Sequence, residues 1–373
     1  MKIVVLAYAA DGGGALSILN DFYNYVWKNA RHHEWIFIVS KAELKPCEHI
    51  KLLRFPKIKD SWFERIKWEK SNLKKIIYEE KADIVFSLQN LTVPNLKLPQ
   101  VLYVHQSIPF QKVKNFSFLR KEERLFAIYQ YIIGNMIRSS IKIADAVIVQ
   151  TRWMKDAIIE RFHNHKDKIF VVPPSIDISI FTNNIVQEKT NSYKNTFFYP
   201  AGALLYKNID CIIKAAYILL KKGINDFKIV LTIKGDENSY AGRIKKMAEG
   251  LGKKIIFAGR MSREDVFKMY NTSTLVFPSY IETFGLPLLE AKLSGSIILT
   301  SDCPFSREIL EEYQNAYYFN PFNYEKLADL MSNVISGKII KSDKNITLEI
   351  QNEDNWKKVL TIIEKCSKTK TGE

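Results

Sequence analysis

Short apolar runs punctuate the chain at regular intervals. KIVVLAY opens it, and EWIFIVS, ADIVFSL, QVLYVH and ADAVIVQ follow before residue 150. Each is four to eight residues of near-continuous hydrophobicity, the pattern of a parallel strand covered on both faces. Between most of them lie stretches with helical spacing, such as ALSILNDFYNYVWK, Glu64 to Glu80 and Glu122 to Ile143. The first run ends in the turn ADGGG, so the chain begins strand, glycine loop, helix. The pattern lapses around residues 173–196, a stretch rich in Pro, Ser, Asn and Thr that reads as a linker. It then restarts with NTFFYPAG, a helix over Asn208 to Lys222, FKIVLTIKG, KKIIFAG, STLVFPS and SIILTSD. A last helical stretch, Asn352 to Lys365, carries Trp356, Val359, Leu360 and Ile363 on one face.

The pattern predicts two consecutive doubly wound α/β/α domains. Ligands in such folds bind at the carboxyl ends of the strands, so the loops from strand to helix carry the candidate chemistry, on a cleft between the domains. The domains are expected at residues 1–175 and 176–345, with residues 346–373 returning as a helix onto the first.

Composition narrows the class. A chain of 373 residues is long enough for two cores. A formal charge of +15 favours anionic partners such as nucleotides, lipid headgroups or lipid-linked pyrophosphates. Nucleic acid is not expected, because no recognisable nucleic-acid motif accompanies the charge. Cys47, Cys211, Cys303 and Cys366 are far apart, with no C-x-x-C pair and no clustered histidines. That spacing argues against zinc and against a disulfide framework, and fits a reducing compartment. Met1 to Tyr8 reads as a strand rather than a signal peptide, because Asp11 and three glycines follow at once. No apolar run reaches the roughly 18 residues needed to cross a bilayer. The expected location is the cytoplasm, with peripheral contact at the inner face of the plasma membrane.

The densest chemistry lies in TLVFPSYIETFGLPLLEAKLSGSIILTSD, residues 274–302. A strand leads into a turn at Gly285, Pro287 suits a first helical turn, and the helix runs through Glu290. Its N-terminal amides and dipole form a ready diphosphate site. Glu282 before the turn and Glu290 within the helix can face one ligand. Taken singly, they read equally as a loop glutamate and a glutamate favoured by the helix dipole. The whole string, Glu-x7-Glu enclosing Phe-Gly-Leu-Pro and followed by Ala, Gly and a strand, closely resembles the signature of family-4 glycosyltransferases of the GT-B fold. The resemblance extends over GRMSREDVFKMYNTSTLVFPS and SDCPFSREIL, covers Phe197 to about Phe322 well, and covers the N-terminal half weakly.

The resemblance implies two Rossmann-like α/β/α domains facing across a cleft, the first for acceptor and the second for donor. It implies a retaining glycosyltransferase of hexosyltransferase type that uses a UDP- or GDP-sugar and a glycan or lipid-linked acceptor, in bacterial surface polysaccharide (O-antigen or capsule) synthesis. Residue by residue, Glu290 would bind the donor ribose and Glu282 would sit at the sugar. The amides of Phe284, Gly285 and Leu286 would hold the diphosphate, and Lys207 in YPAGALLYKN would neutralise it as it leaves. In that turn the family commonly has an arginine directly after the glycine corresponding to Gly202; this chain has Ala203 there, one residue too close to Lys207, so either Lys207 carries the phosphate alone or another cation such as Arg260 helps. Gly12, Gly13 and Gly14 sit where the family has its glycine-rich first loop, although they lack the G-x-G-x-x-G spacing of a dinucleotide fingerprint. His105, ending VLYVH, stands where the family's histidine meets the donor sugar; a lone histidine at a strand end reads equally as structural. In VVPPSIDISIF, Ser175 replaces the glycine of the family's interdomain Pro-x-Gly-x-Asp, and Asp177 is assigned a structural role. No D-x-D occurs in the sequence, so neither a metal nor any other cofactor is expected at the reaction centre.

Residues Lys51 to Lys75 hold nine Lys or Arg against three acidic residues, interleaved with Phe55, Trp62, Phe63 and Trp68. That pattern suits either an anionic membrane surface or a solvated helix with core-facing aromatics. Lys112, Lys114, Arg120, Lys121 and Arg124 extend the basic set. Two rival functions share the architecture, a sugar-nucleotide epimerase and a catalytically inactive glycosyltransferase-like binding subunit.

Overall fold

A computed structural model describes residues 1–59, 61–175, 191–342 and 354–371. Asp177 lies outside the described residues. The described residues fall into two compact units, 1–111 with 127–175 and 354–371, and 112–126 with 191–342.

The first unit is built on seven parallel strands: β1 (Lys2–Leu6), β2 (Glu34–Val39), β3 (Ile50–Arg54), β4 (Ile84–Ser87), β5 (Gln100–Val104), β6 (Ala146–Val149) and β7 (Ile169–Val171). Their order is β3-β2-β1-β4-β5-β6-β7. Alternate residues of β1 enter different cores, which explains its unbroken hydrophobicity: Ile3 and Val5 pack with Phe22, Trp35 and Phe86, and Val4 and Leu6 pack with Ile36, Leu73 and Ile77. The last helix, Asn355–Thr371, closes the first of these cores. Trp356, Val359, Leu360 and Ile363 are buried there, and the Trp356 ring lies 5.0 Å from that of Phe22.

The second unit holds six parallel strands: β8 (Thr196–Tyr199), β9 (Lys228–Leu231), β10 (Ile255–Phe257), β11 (Thr274–Phe277), β12 (Ile298–Ser301) and β13 (Ala316–Phe319). Their order is β10-β9-β8-β11-β12-β13. Each sheet reverses its strand order once, between β1 and β4 and between β8 and β11. Crossover helices leave opposite faces on either side of such a point, so the loops after those strands splay apart and open a crevice.

Two features depart from the sequence pattern. Residues 112–126 group with the second unit. Arg243 donates to the Glu122 carboxylate at 3.1 Å, and the rings of Phe126 and Tyr206 meet edge to face at 5.6 Å. Lys112 to Arg124 thus belong to the second unit, and the basic stretch at 51–75 to the first. That stretch is also not one amphipathic helix. Ile50–Arg54 is the edge strand β3, and its Arg54 guanidinium donates to the carbonyls of Ala42 and Leu44. The rings of Phe55 and Trp68 meet tilted with centroids 4.7 Å apart and pack against a core, whereas Phe63 is 80% exposed. The helix proper runs Trp62–Trp68, widens into a π-turn over Glu69–Leu73, and resumes as Lys74–Glu79.

Candidate active site

The loops at the β8/β11 reversal carry most of the predicted residues. After β8 the chain passes Gly202 and makes a 3-10 turn, Leu205–Lys207. Asn208 then adopts a left-handed conformation (φ 56°) that caps the helix Ile209–Lys221. Asparagine tolerates that region better than most residues. Its buried side-chain amide donates to Pro278 O at 3.2 Å and Pro321 O at 2.6 Å, tying this turn to the loops after β11 and β13. Tyr206 O accepts from the Tyr280 amide at 3.1 Å, a second tie to the β11 loop. The turn is thereby held with Lys207 pointing at that loop.

The Lys207 ammonium meets Glu282 Oε1 at 2.5 Å, with both side chains about 15% exposed (16% and 14%). A cation and an anion are thus paired at the carboxyl end of the two central strands, close enough to solvent to exchange the partner for a ligand. Behind them Tyr199 donates to Lys207 O at 3.0 Å. Burial, then the Glu282 charge, raises its phenol well above the ordinary value, so it remains a donor.

After Glu282 the backbone turns at Gly285, which has φ 90° and ψ 52° and heads the helix Leu286–Leu293. A Cβ there would stand 3.3 Å from Leu288 Cδ1, so both the angle and the packing call for glycine. Pro287 supplies no N–H in the first turn, where none would find a helical acceptor. Phe284 is buried and Leu286 exposed, which leaves the backbone of 284–286 at the mouth of the helix. Glu290, one turn in, is only 4% exposed. Its Oε1 accepts from Arg263 at 2.7 Å and its Oε2 from Tyr270 at 2.9 Å. Burial, then the Glu290 charge, pushes the Tyr270 phenol well above its usual range, so the proton stays on Tyr270. Gly202 and Arg260 lie exposed in the loops after β8 and β10.

The first unit presents its own set at its strand ends. Gly12, Gly13 and Gly14 follow β1 and are exposed; Gly13 has φ 57° and begins the helix Gly13–Asn29. Asp11 beside them accepts from Ser40 Oγ at 2.7 Å. His105 follows β5. Its amide donates to Asn90 Oδ1 at 2.7 Å, and its Nε2 lies 3.3 Å from Asn90 Nδ2 in the loop after β4. Burial lowers the His105 pKa to about 4, so the ring is neutral at physiological pH. A neutral imidazole hydrogen-bonds a sugar hydroxyl without contributing charge.

Sequence reasoning missed Asn208, Arg263 and Tyr270. Arg263 and Tyr270 are seven residues apart on the helix Arg263–Thr272, two turns along one face, and that spacing was the available signal. The cation that reaches the Glu-x7-Glu pair from this region is Arg263, three residues beyond Arg260.

Two family sequence models match consecutive stretches of the chain. The one described as Glycosyltransferase Family 4 matches residues 27–180, and the one described as Glycosyl transferases group 1 matches residues 181–353. The chain belongs to the family-4 glycosyltransferases. Among curated family members, the O-antigen chain mannosyltransferase RfbU of Salmonella typhimurium is 28% identical over 247 residues, 65% of this chain and 62% of that protein. The match thus spans less than two thirds of that relative's own length. Among solved structures, WaaG, a glycosyltransferase involved in lipopolysaccharide biosynthesis, superposes with a TM-score of 0.68 at 16% identity over the full length of both chains. Anabaena HepE in complex with UDP-glucose gives 0.63 at 15%, again over both whole chains. The fold of this family-4 chain is GT-B, two Rossmann-like parallel α/β domains.

Proposed function

We propose that the chain transfers a sugar from a nucleotide-diphosphate sugar to a glycan or lipid-linked acceptor, with retention of anomeric configuration, in the synthesis of a bacterial surface polysaccharide. The observation that carries this reading is the Lys207–Glu282 pair at the β8/β11 reversal, next to the helix headed by Gly285.

In this scheme the donor ribose lies on Glu290, whose carboxylate Tyr270 and Arg263 hold in place. The diphosphate lies on the amides of Phe284, Gly285 and Leu286 and takes the Lys207 ammonium from Glu282. Charge that develops on the departing phosphate is then met by a fixed cation and by oriented N–H groups. Glu282, released from Lys207, contacts the transferred sugar. The bond from C1 to the phosphate oxygen breaks, a bond from C1 to the acceptor oxygen forms on the same face, and the acceptor's proton passes to the departing phosphate. Cys303 is no candidate nucleophile, because burial pushes its thiol up to about 12.

The HepE complex with UDP-glucose supports a nucleotide-sugar donor, and RfbU supports a surface-polysaccharide role. No helix among the described residues is long and apolar enough to cross a membrane. We place the reaction at the cytoplasmic face, with peripheral contact to anionic lipid. The test is to incubate the protein with UDP- and GDP-sugars and a lipid-linked acceptor, and to read the new linkage by NMR. A product with the donor's anomeric configuration is expected. An inverted product overturns the mechanism, and absence of transfer and hydrolysis with every donor overturns the activity.

A further inference from the structure

A second polar cluster lies in the first unit, on residues the transfer scheme does not use. His32 and His33 form the turn between the helix Gly13–Asn29 and β2, and Glu364 lies on the helix Asn355–Thr371. His33 Nε2 is 2.9 Å and His32 Nε2 is 3.5 Å from Glu364 Oε1, and the three ligand atoms all lie within 4.8 Å of one another. A tetrahedral zinc ion with bonds of about 2.0–2.2 Å sets its ligand atoms roughly 3.3 Å apart. The cluster therefore needs only small side-chain movements to enclose one.

Both supporting elements are rigid. The turn is pinned by Trp35, 1% exposed, whose indole donates to Ala30 O at 2.9 Å. Glu364 follows Ile363, which is fully buried in the same core. We infer that His32, His33 and Glu364 form a binding site for a divalent first-row transition ion, zinc by preference, that fastens the C-terminal helix to the N-terminal sheet. Two imidazoles and one carboxylate suit such ions and not magnesium or calcium, which take oxygen ligands. The fourth position opens to solvent beside His32, whose side chain is 58% exposed.

The protonation states agree. Burial lowers the His33 pKa, which keeps the imidazole neutral as a ligand must be. Burial works against the Glu364 carboxylate, but hydrogen bonds from His33 and His32 hold its pKa below the usual value, so it is anionic. One feature weakens the site. Metal on Nε2 leaves the proton on His33 Nδ1, which is buried without a hydrogen-bond partner. Lack of such an outer partner lowers metal affinity by about ten- to a hundredfold. The ion is thus expected to exchange readily with a chelator.

The test uses the tag-free full chain, stripped with EDTA and dialysed, and read by calorimetric titration and thermal melting with zinc chloride. One ion per chain and a rise in Tm of a few degrees are expected, reversed by EDTA, with no response to magnesium chloride. Glu364→Gln and the surface variant His32→Asn should each remove most of the rise while leaving the metal-free Tm near that of the parent. No saturable zinc response in the parent, or an equal response in both variants, overturns the site and leaves His33–Glu364 a plain hydrogen bond.

Discussion

Replacing Lys207 with methionine separates a catalytic pair from a structural one. The substitution keeps the aliphatic stem and removes the ammonium that sits 2.5 Å from Glu282 Oε1. Breaking a fully buried ion pair costs about 3–5 kcal/mol, and an exposed one is worth about 0–1 kcal/mol. With both side chains about 15% exposed, at 16% and 14%, the pair lies between these limits. A loss of about 2 kcal/mol is expected, or roughly 4–8 °C in Tm for a domain of this size. Most of that loss comes from leaving Glu282 a lone charge, so Lys207→Met with Glu282→Gln should recover much of it. Activity should not follow. Loss of one fixed donor to a developing oxyanion typically lowers kcat by about 10²–10³. The double variant should stay at least that low although its Tm has returned. The assay is release of nucleoside diphosphate from whichever donor stabilises the protein, beside a melt of each variant. Recovery of activity along with stability in the double variant, or a single variant within about threefold of the parent, would refute the catalytic role of Lys207.

Three further outcomes follow from the same geometry. Tyr270→Phe leaves Glu290 Oε2 without its donor while Arg263 keeps Oε1; a lost hydrogen bond to a buried charge is worth about 1–3 kcal/mol, so KM for the donor should rise about tenfold with kcat changed less. An unchanged KM would remove Tyr270 from the positioning of Glu290. Gly285→Ala should cost about 1–2 kcal/mol for φ 90° alone, plus the 3.3 Å contact with Leu288, and weaken nucleotide binding; Gly202→Ala, with open space around it, should leave Tm unchanged. Equal Tm values for these two variants would contradict the assigned turn. Stability should fall as pH drops from about 6.5, the ordinary histidine value, towards about 4, because the unfolded chain binds a proton that folded His105 refuses, with His33 adding to the trend. Glu123, Glu237 and Glu364, held below their ordinary 4.5, lose their contributions only at lower pH, so a melt series between pH 6.5 and 5 isolates the histidines; His105→Gln should flatten it, and an unaltered slope would remove His105 as its source.

Most of the strands were readable because both their faces are covered, whereas β10, an edge strand whose Ile256 is 40% exposed, was readable from its short apolar run alone. β1, β2, β4, β5, β6, β8, β9, β10, β11 and β12 each coincide with an apolar run. The strands that escaped notice are the edges β3 and β13 and the short β7. In β3, IKLLR carries Lys51 and Arg54 among its apolar residues, and it merged into the basic stretch that follows. The turn from Glu282 to Pro287 was legible since Gly285 and Pro287 both suit a strand-to-helix turn. The supports of Glu290 were not, because Arg263 and Tyr270 are ordinary members of an amphipathic helix until the fold sets that helix beside Leu286–Leu293. Nor was the grouping of 112–126, which depends on Glu122 meeting Arg243, 121 residues away. The reading that no histidines cluster overlooked the adjacent His32 and His33, and their third partner Glu364 was hidden because it is 331 residues from His33.

The central claim is a nucleotide-diphosphate site at the β8/β11 reversal. Thermal melting against UDP, GDP, ADP and their sugars, with EDTA present throughout, tests it most directly. A selective rise with one base that survives EDTA, and that is reduced in Lys207→Met, is the expected result. No rise with any nucleotide in a folded sample would contradict the account.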